Sequence, residues 1–223
     1  MIVVKEGLPA EDNADDLLKR LLRLVQVASN PRLIDESYYA EPGKLQPLRD
    51  LVSSCCEKKE KSIVWTSFTD NVDWLAQEFK SFGSCKLHGK MAIERRNSAI
   101  DKFLNDDKVK ILVATPGVAK EGLTLTVANH VIFYDRTFSL DDYLQAQDRI
   151  HRISQKAVCH VHNLIMRDSI DEWVDILLHS KHLAAQLAQG DISLDYYKSQ
   201  MSYSFGDVLR NILGIESGIV RKD

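Results

Sequence analysis

Residues 111–135 read ILVATPGVAKEGLTLTVANHVIFYD, and the two ends of this stretch decide the fold. Residues 111–114 and 131–134 are apolar at every position rather than at every second one. A strand with one wet face alternates. An unbroken short apolar run suits a strand buried on both faces, as in the middle of a parallel sheet. Parallel neighbours need a crossover, and Thr115-Pro116-Gly117 opens one with turn chemistry.

The flanking chain repeats the pattern. Upstream, Ile63-Val64-Trp65-Thr66 is a short β run, and 70–82 returns to helical spacing through Val72, Leu75, Ala76 and Phe79. Cys85-Lys86-Leu87 is another short run, and 91–105 is helical through Ile93, Ile100, Phe103 and Leu104. Downstream, the spacing predicts a helix over 139–152 and a strand over 158–165. Strand and helix in alternation predict an α/β fold, a mainly parallel sheet with helices on both faces.

Helical extensions flank this core. An amphipathic helix is expected over 14–28, with Leu17, Leu21, Leu24, Val25 and Ala28 on one side and Asn30-Pro31 ending it. A second is expected over 44–57, after a loop at 35–43. Ser169-Ile170-Asp171-Glu172 has the layout of a capping box and Gly190 that of a helix stop. The expected divisions are a helical lead-in at 1–58, a core at 59–166, a long packing helix at 167–190, and a tail at 191–223 with a short helix near 204–213. In such sheets ligands meet the carboxyl ends of the strands. Four tips are therefore expected on one rim: Thr66-Ser67-Phe68, His88-Gly89-Lys90, Thr115-Pro116-Gly117 and Asp135-Arg136-Thr137. Trp65, Phe68, Trp74, Phe79, Phe103 and Trp173 fall at core spacing and are expected to pack.

Composition narrows the classes. The 223 residues are 44% hydrophobic and 27% charged, as in a globular domain. No apolar run approaches the roughly 18–20 residues of a membrane span, and the first 30 residues lack the layout of a signal peptide. No membrane partner is expected. A net charge of -3 argues against coating nucleic acid by bulk charge, but leaves room for a local basic groove. Cys55, Cys56, Cys85 and Cys159 have no CxxC spacing and are expected as reduced, mostly buried thiols. His160 with His162, and His179 with His182, lack a Cys or carboxylate at ligand spacing, so no metal site is expected.

Residues 145–155, QAQDRIHRISQ, follow the last apolar run. On the predicted helix Gln145, Arg149 and Arg152 fall at i, i+4 and i+7, within about 60° of one another. Ala146, Ile150 and Ile153 form an apolar stripe able to face a sheet. Taken alone, the polar stripe also suits a surface helix with solvated arginines. Asp148 and His151 lie on a neighbouring face, where a hydrogen-bonded pair holding the helix is one reading.

Four segments, in this order, resemble the second RecA-like lobe of Swi/Snf-type ATPases in helicase superfamily two. KSIVWTSFTDNVDWL (61–75) resembles that family's motif IV, and KLHGKMAIERRNSAIDKF (86–103) its linking segment. Residues 111–135 resemble motif V with the strand after it, and 145–155 resemble motif VI, with Ser154 where Gly is usual. Ala119-Lys120 stands where a Gly-Gly pair is frequent, and Thr124 where Asn is frequent. The resemblance covers about 14–190 and implies a RecA-like lobe of the P-loop NTPase type. The G-x-x-x-x-G-K-[ST] loop and the Asp-Glu-x-His box of the first lobe are missing. The chain therefore looks like half of a motor, a fragment or one subunit of a split protein.

The resemblance implies a role for each group. Arg149 and Arg152 would stabilise the transferring phosphoryl group, with Gln145 positioning a water or an oxygen. Gly122, Thr124 and Asp148 would lie near ATP. Asp148 and His151 would link the nucleotide and nucleic-acid sites. Thr66, Ser67, Gly89, Lys90, Thr115, Gly117 and Lys120 would touch the backbone of double-stranded DNA, with Lys86, Arg95, Arg96 and Arg136 adding charge nearby. Arg95 is expected to pair with Glu94 or another carboxylate. ATP and Mg²⁺ would be held mainly by an N-terminal RecA-like lobe, in the same or a separate chain, and this chain alone is expected to be inactive. The expected location is nuclear in a eukaryote, or the nucleoid-associated cytoplasm in a prokaryote. A stand-alone DNA-binding or regulatory module, or an RNA helicase lobe, are the alternatives.

Overall fold

The computed structural model describes residues 14–200, without the side chains of 14–17 and 119–121. Five strands form one sheet: β1 (Ser62–Trp65), β2 (Ser84–Leu87), β3 (Ile111–Ala114), β4 (His130–Phe133) and β5 (His160–Asn163). Their order is β2-β3-β1-β4-β5 and every pairing is parallel. Trp65 stands opposite Ala114 and Phe133, Ala114 opposite Leu87, and Phe133 opposite Asn163. The strands therefore finish level, and the segments that follow them share one rim, as the apolar runs predicted.

The two-residue pleat sorts each strand between two cores. Ile63, Trp65, Leu112, Ala114, Val131 and Phe133 point to one face, where Phe103 of α4 (Ile93–Asn105) and Ala146 of α5 (Leu140–Gln147) cover them. Val64, Ile111, Val113 and Ile132 point to the other, against Leu48 and Val52 of α2 (Leu45–Glu57) and Val72 and Leu75 of α3 (Thr69–Glu78). Each large side chain withdrawn from water contributes roughly 1.5–3 kcal/mol. A third cluster joins Val25 of α1 (Ala14–Ser29) to Ile170, Val174 and Leu178 of α6 (Ile170–Gln189). Ser169 caps α6 by accepting the Asp171 N–H, and Gly190 ends it at φ +82°. α7 (Leu194–Gln200) follows. The helix expected near 204–213 lies outside the described residues.

Trp65, Phe79 and Phe103 are fully buried, and Phe68, Trp74 and Trp173 pack on the clusters, as expected of core aromatics. Cys55 is buried, but Cys56, Cys85 and Cys159 are only partly so.

β5 covers 160–163 rather than 158–165 and α3 ends at Glu78 rather than near 82, but α5 departs with most consequence. α5 ends at Gln147, not near 152. To reach 152, the carbonyls of Gln145 and Gln147 would have to receive the N–H groups four residues on. Instead the Gln145 carbonyl accepts Nε of Arg149 at 2.9 Å, and the Gln147 carbonyl accepts the Ile150 N–H, only three residues on, at 3.3 Å. The turn beyond is tied to distant groups: the Arg149 carbonyl accepts the Leu125 N–H at 3.0 Å, and the Ile150 carbonyl accepts Nε2 of Gln155 at 3.1 Å. The single polar stripe of Gln145, Arg149 and Arg152 is thereby corrected, and so is the apolar one. Ala146 and Ile150 are buried, whereas Ile153 is fully exposed on the loop.

Candidate functional site

The loop between α5 and β5 still brings its arginines to one place. Arg149, 8% exposed, donates Nε to the Gln145 carbonyl at 2.9 Å and a terminal nitrogen to the Leu123 carbonyl at 3.2 Å. Arg152 donates to Oγ1 of Thr124 at 2.7 Å and, more weakly, to the Gly122 carbonyl at 3.5 Å. Both guanidinium groups thus converge on residues 122–124, the segment that leaves the 3₁₀ turn Pro116–Glu121. Gly122 sits there at φ +74°, a backbone region that disfavours side chains with a Cβ. A surface depression of about 510 Å³ opens beside them, lined by Thr124, Arg152, Ile153 and Ser154.

The electrostatics favour an anion. Among the described residues neither Arg149 nor Arg152 makes an ion pair, and their partners are carbonyls and a hydroxyl. Burial first, and then the Arg152 charge, lower the Arg149 pKa from its ordinary value. Partial burial and a like charge both penalise a cation, and a bound phosphate would relieve both. Gln145 meets this cluster through its carbonyl, while Asp148 and His151 are exposed. Asp148 is the C-cap of α5, its N–H bonded to the Leu144 carbonyl.

The rim is a second locality. Gly89, Lys90 and Gly117 are exposed and Thr115 is half-buried on the tips after β2 and β3, and no neighbour lies within 4 Å of a Cβ built at either glycine. Backbone there is open to close approach. Lys120 lies on the 3₁₀ turn, with its side chain outside the described residues.

Thr66 must be corrected. It is fully buried, and Oγ1 donates to Oδ2 of Asp135 at 2.5 Å. That buried carboxylate also accepts the Ser29 hydroxyl and the Ser67 N–H, each at 2.7 Å. Thr66 therefore pins the tips of β1 and β4 together, and Ser67 is corrected with it, since its N–H goes to Asp135 and its Oγ is buried. In the sequence Asp135 reads only as a tip residue, because a partner 69 positions away leaves no local signal.

The supporting charges also divide. Lys86 pairs with Asp73 at 2.6 Å, and buried Arg136 pairs with Asp175 at 2.7 Å. Arg136 thus holds α6 rather than charging the rim. Arg95 is exposed and, among the described residues, makes no ion pair. A separate depression of about 360 Å³ between α5 and α6 is lined by Arg136 but by none of the residues expected to meet ATP or DNA. Burial pushes the Cys55 thiol up to about 11 and the Cys85 thiol up to about 12, so neither is a thiolate nucleophile near neutral pH.

Residues 43–154 match the model of the helicase conserved C-terminal domain. The chain is 29% identical over 175 residues to the ATP-dependent helicase FUN30 of Saccharomyces cerevisiae, covering 77% of this chain but 16% of that protein. It is similar in structure to the SWI2/SNF2 ATPase core domain of Sulfolobus solfataricus, with TM-score 0.67 and 26% identity over 92% of this chain and 42% of that one. The same archaeal core in complex with double-stranded DNA gives TM-score 0.66 at 24% identity, covering 88% of this chain and 44% of that one.

Proposed function

The chain belongs to the helicase conserved C-terminal domain family as a Swi/Snf-type second RecA-like lobe, and from that premise we propose that it is the C-terminal motor lobe of an ATP-dependent translocase on double-stranded DNA. The observation that carries the proposal is the convergence of Arg149 and Arg152 on 122–124, where neither makes an ion pair among the described residues and the nearby Asp148 charge does not outweigh burial and the like charge on Arg149. Phosphoryl transfer spreads negative charge over the equatorial oxygens. A guanidinium brought there from another domain accelerates it by about 10³–10⁵, or roughly 4–7 kcal/mol.

The division of labour follows from burial. Arg149 is enclosed and keeps the loop's charge in place. Arg152 rests on a hydroxyl and can exchange it for a phosphate oxygen when a first lobe carrying ATP closes over it. Thr124 and Gly122 line that approach, with Gln145 and Asp148 at its edge. These residues suit the triphosphate, whereas Mg²⁺ would be held mainly by the first lobe. ATP supplies the phosphoryl group, and this chain supplies charge and exclusion of water.

Gly89, Lys90, Thr115, Gly117 and Lys120 would grip the DNA backbone. Such contacts position without reading sequence, and a ratchet along any duplex requires that. The archaeal relative bound to double-stranded DNA supports the choice of duplex. In a protein carrying both lobes, Arg152→Ala should lower DNA-stimulated ATP turnover by about 10³-fold or more. Near-normal turnover would overturn the finger assignment, and stimulation by single-stranded RNA but not by duplex DNA would favour an RNA helicase lobe.

A further inference from the structure

We propose that Gln155 is a positioning residue, whose side-chain amide locks the irregular loop 148–159 so that Arg152 reaches phosphate from one fixed place. The inference rests on the motor-lobe reading for its consequence in turnover, but not for its geometry.

The loop needs such a lock. It is neither helix nor strand, because α5 stops at Gln147 and β5 starts at His160. Between buried Ile150 and half-buried Cys159, every residue is exposed except Arg152 and Gln155, which are half-buried. Ile153, the one large apolar side chain near the arginine, points into solvent. Hydrophobic packing therefore does not hold this stretch, and a cation meant to meet a transition state must be held to about 0.5 Å.

Gln155 supplies the missing restraint. Its Nε2 donates to the carbonyls of Thr126 at 3.2 Å, Ala128 at 2.9 Å and Ile150 at 3.1 Å. Its Oε1 accepts the N–H groups of Lys156 and Ala157, both at 2.9 Å. Its own N–H donates to the Arg152 carbonyl at 2.8 Å. One side chain thus ties three pieces of backbone: the segment entering β4, the end of the α5 turn, and the loop beyond the arginine. The bond from the Leu125 N–H to the Arg149 carbonyl closes the same seam one step away. A carboxylate at 155 could keep the two accepted bonds but would turn an anionic oxygen toward three carbonyls. Gln155 has no role at the phosphate itself; it acts through Arg152.

Two measurements test this. In a protein carrying both lobes, Gln155→Ala and Gln155→Glu should each lower kcat about 10- to 100-fold, the cost of misplacing a catalytic group, with KM for ATP within about twofold. In an Arg152→Ala background Gln155→Ala should cost nothing further, because the arginine it positions is gone. A purely structural role predicts losses that multiply, and that result, or full turnover in Gln155→Glu, would overturn the proposal. In the 223-residue chain itself, Gln155→Ala should speed amide hydrogen exchange at Leu125 at least tenfold while the β1 and β3 amides keep their rates. Unchanged exchange at Leu125 would sink the lock whatever the turnover. If Arg152→Ala alone left turnover near normal, the catalytic consequence would fall with the finger assignment, and faster exchange at Leu125 would then show the lock without its catalytic purpose.

Discussion

Thr66→Val removes one hydroxyl and little else, and its cost can be worked from the structure. The side chain is fully buried, so valine fills the same space without exposing new surface. The lost bond is the 2.5 Å donation to the buried Asp135 carboxylate. Two longer contacts in which Thr66 accepts, from the Phe68 N–H and from Nδ2 of Asn71, are 3.5 and 3.4 Å and add little. A hydrogen bond to an ionised group contributes about 1.5–3 kcal/mol. Asp135 keeps its bonds from Ser29 and from the Ser67 N–H, so it is weakened rather than stranded. The expected loss is therefore about 1.5–3 kcal/mol, or roughly 3–12 °C in Tm for a domain of this size. Urea unfolding should show a lower midpoint at unchanged m. Asp135→Ala should cost more, because it leaves two buried hydroxyls and one N–H without their acceptor. The reasoning would be refuted by Thr66→Val of unchanged stability whose DNA affinity falls at an unchanged salt slope, because a neutral hydroxyl contact releases no counterion. That result would return Thr66 to the DNA rim.

Two further outcomes follow from buried charge. His130 bridges Glu60 at 2.9 Å and His162 at 3.2 Å, and the His160 ring stacks on it at 4.6 Å. Partial burial, then the charges of His130 and His160, hold the His162 pKa below its ordinary value. Unfolded chains then bind this proton more readily than folded ones, so stability rises with pH toward about 6.5 and is lost as pH falls below it. Urea midpoints should drop from about pH 7 to about pH 5 by more in the native chain than in His162→Gln, and equal drops would dismiss the histidine stack as the cause. Lys44 and Asp171 form an ion pair at 2.5 Å with side chains 3% and 5% exposed, so Lys44→Met should cost about 3–5 kcal/mol by stranding the carboxylate. Adding Asp171→Leu should recover most of that in equilibrium unfolding, and a single-variant loss under about 1 kcal/mol would contradict the pairing.

The sheet was legible because its signal is local. Every position of 111–114 and 131–134 reports burial on both faces, and the tips follow from where the runs stop. The helix over 14–28 was legible as well, since Leu21, Val25 and Ala28 pack at helical spacing against α6, although Leu24, expected beside them, is exposed. What escaped was decided by residues far apart in the chain. α5 ends where Nε of Arg149 takes the Gln145 carbonyl, and the turn beyond it is held by the Leu125 N–H, which no window around 147 contains. Thr66 reads the same whether its hydroxyl faces solvent or Asp135, because a lone threonine at a strand end carries no periodicity. Arg136 likewise looks like a rim charge until α6 folds back and brings Asp175 to it.

The same distinction separates the arginines of this lobe by task. Arg49 is bonded to Glu78 at 2.5 Å and to Glu41 at 2.8 Å, and Arg136 to Asp175. Each is neutralised by a carboxylate and serves to join elements. Arg149 and Arg152 are bonded to carbonyls and a hydroxyl instead. Leaving a carbonyl or hydroxyl breaks a hydrogen bond with one charged partner, about 1.5–3 kcal/mol, whereas leaving a carboxylate also separates two opposite charges. An arginine with neutral partners also keeps its full charge for an incoming anion, which is what the proposed role of Arg152 needs. A carboxylate within reach would defeat that role. Thr124 satisfies the condition because it offers an acceptor without a charge. Placing Asp there should tether Arg152 in the resting position, and the lobe would keep its stability while losing its use.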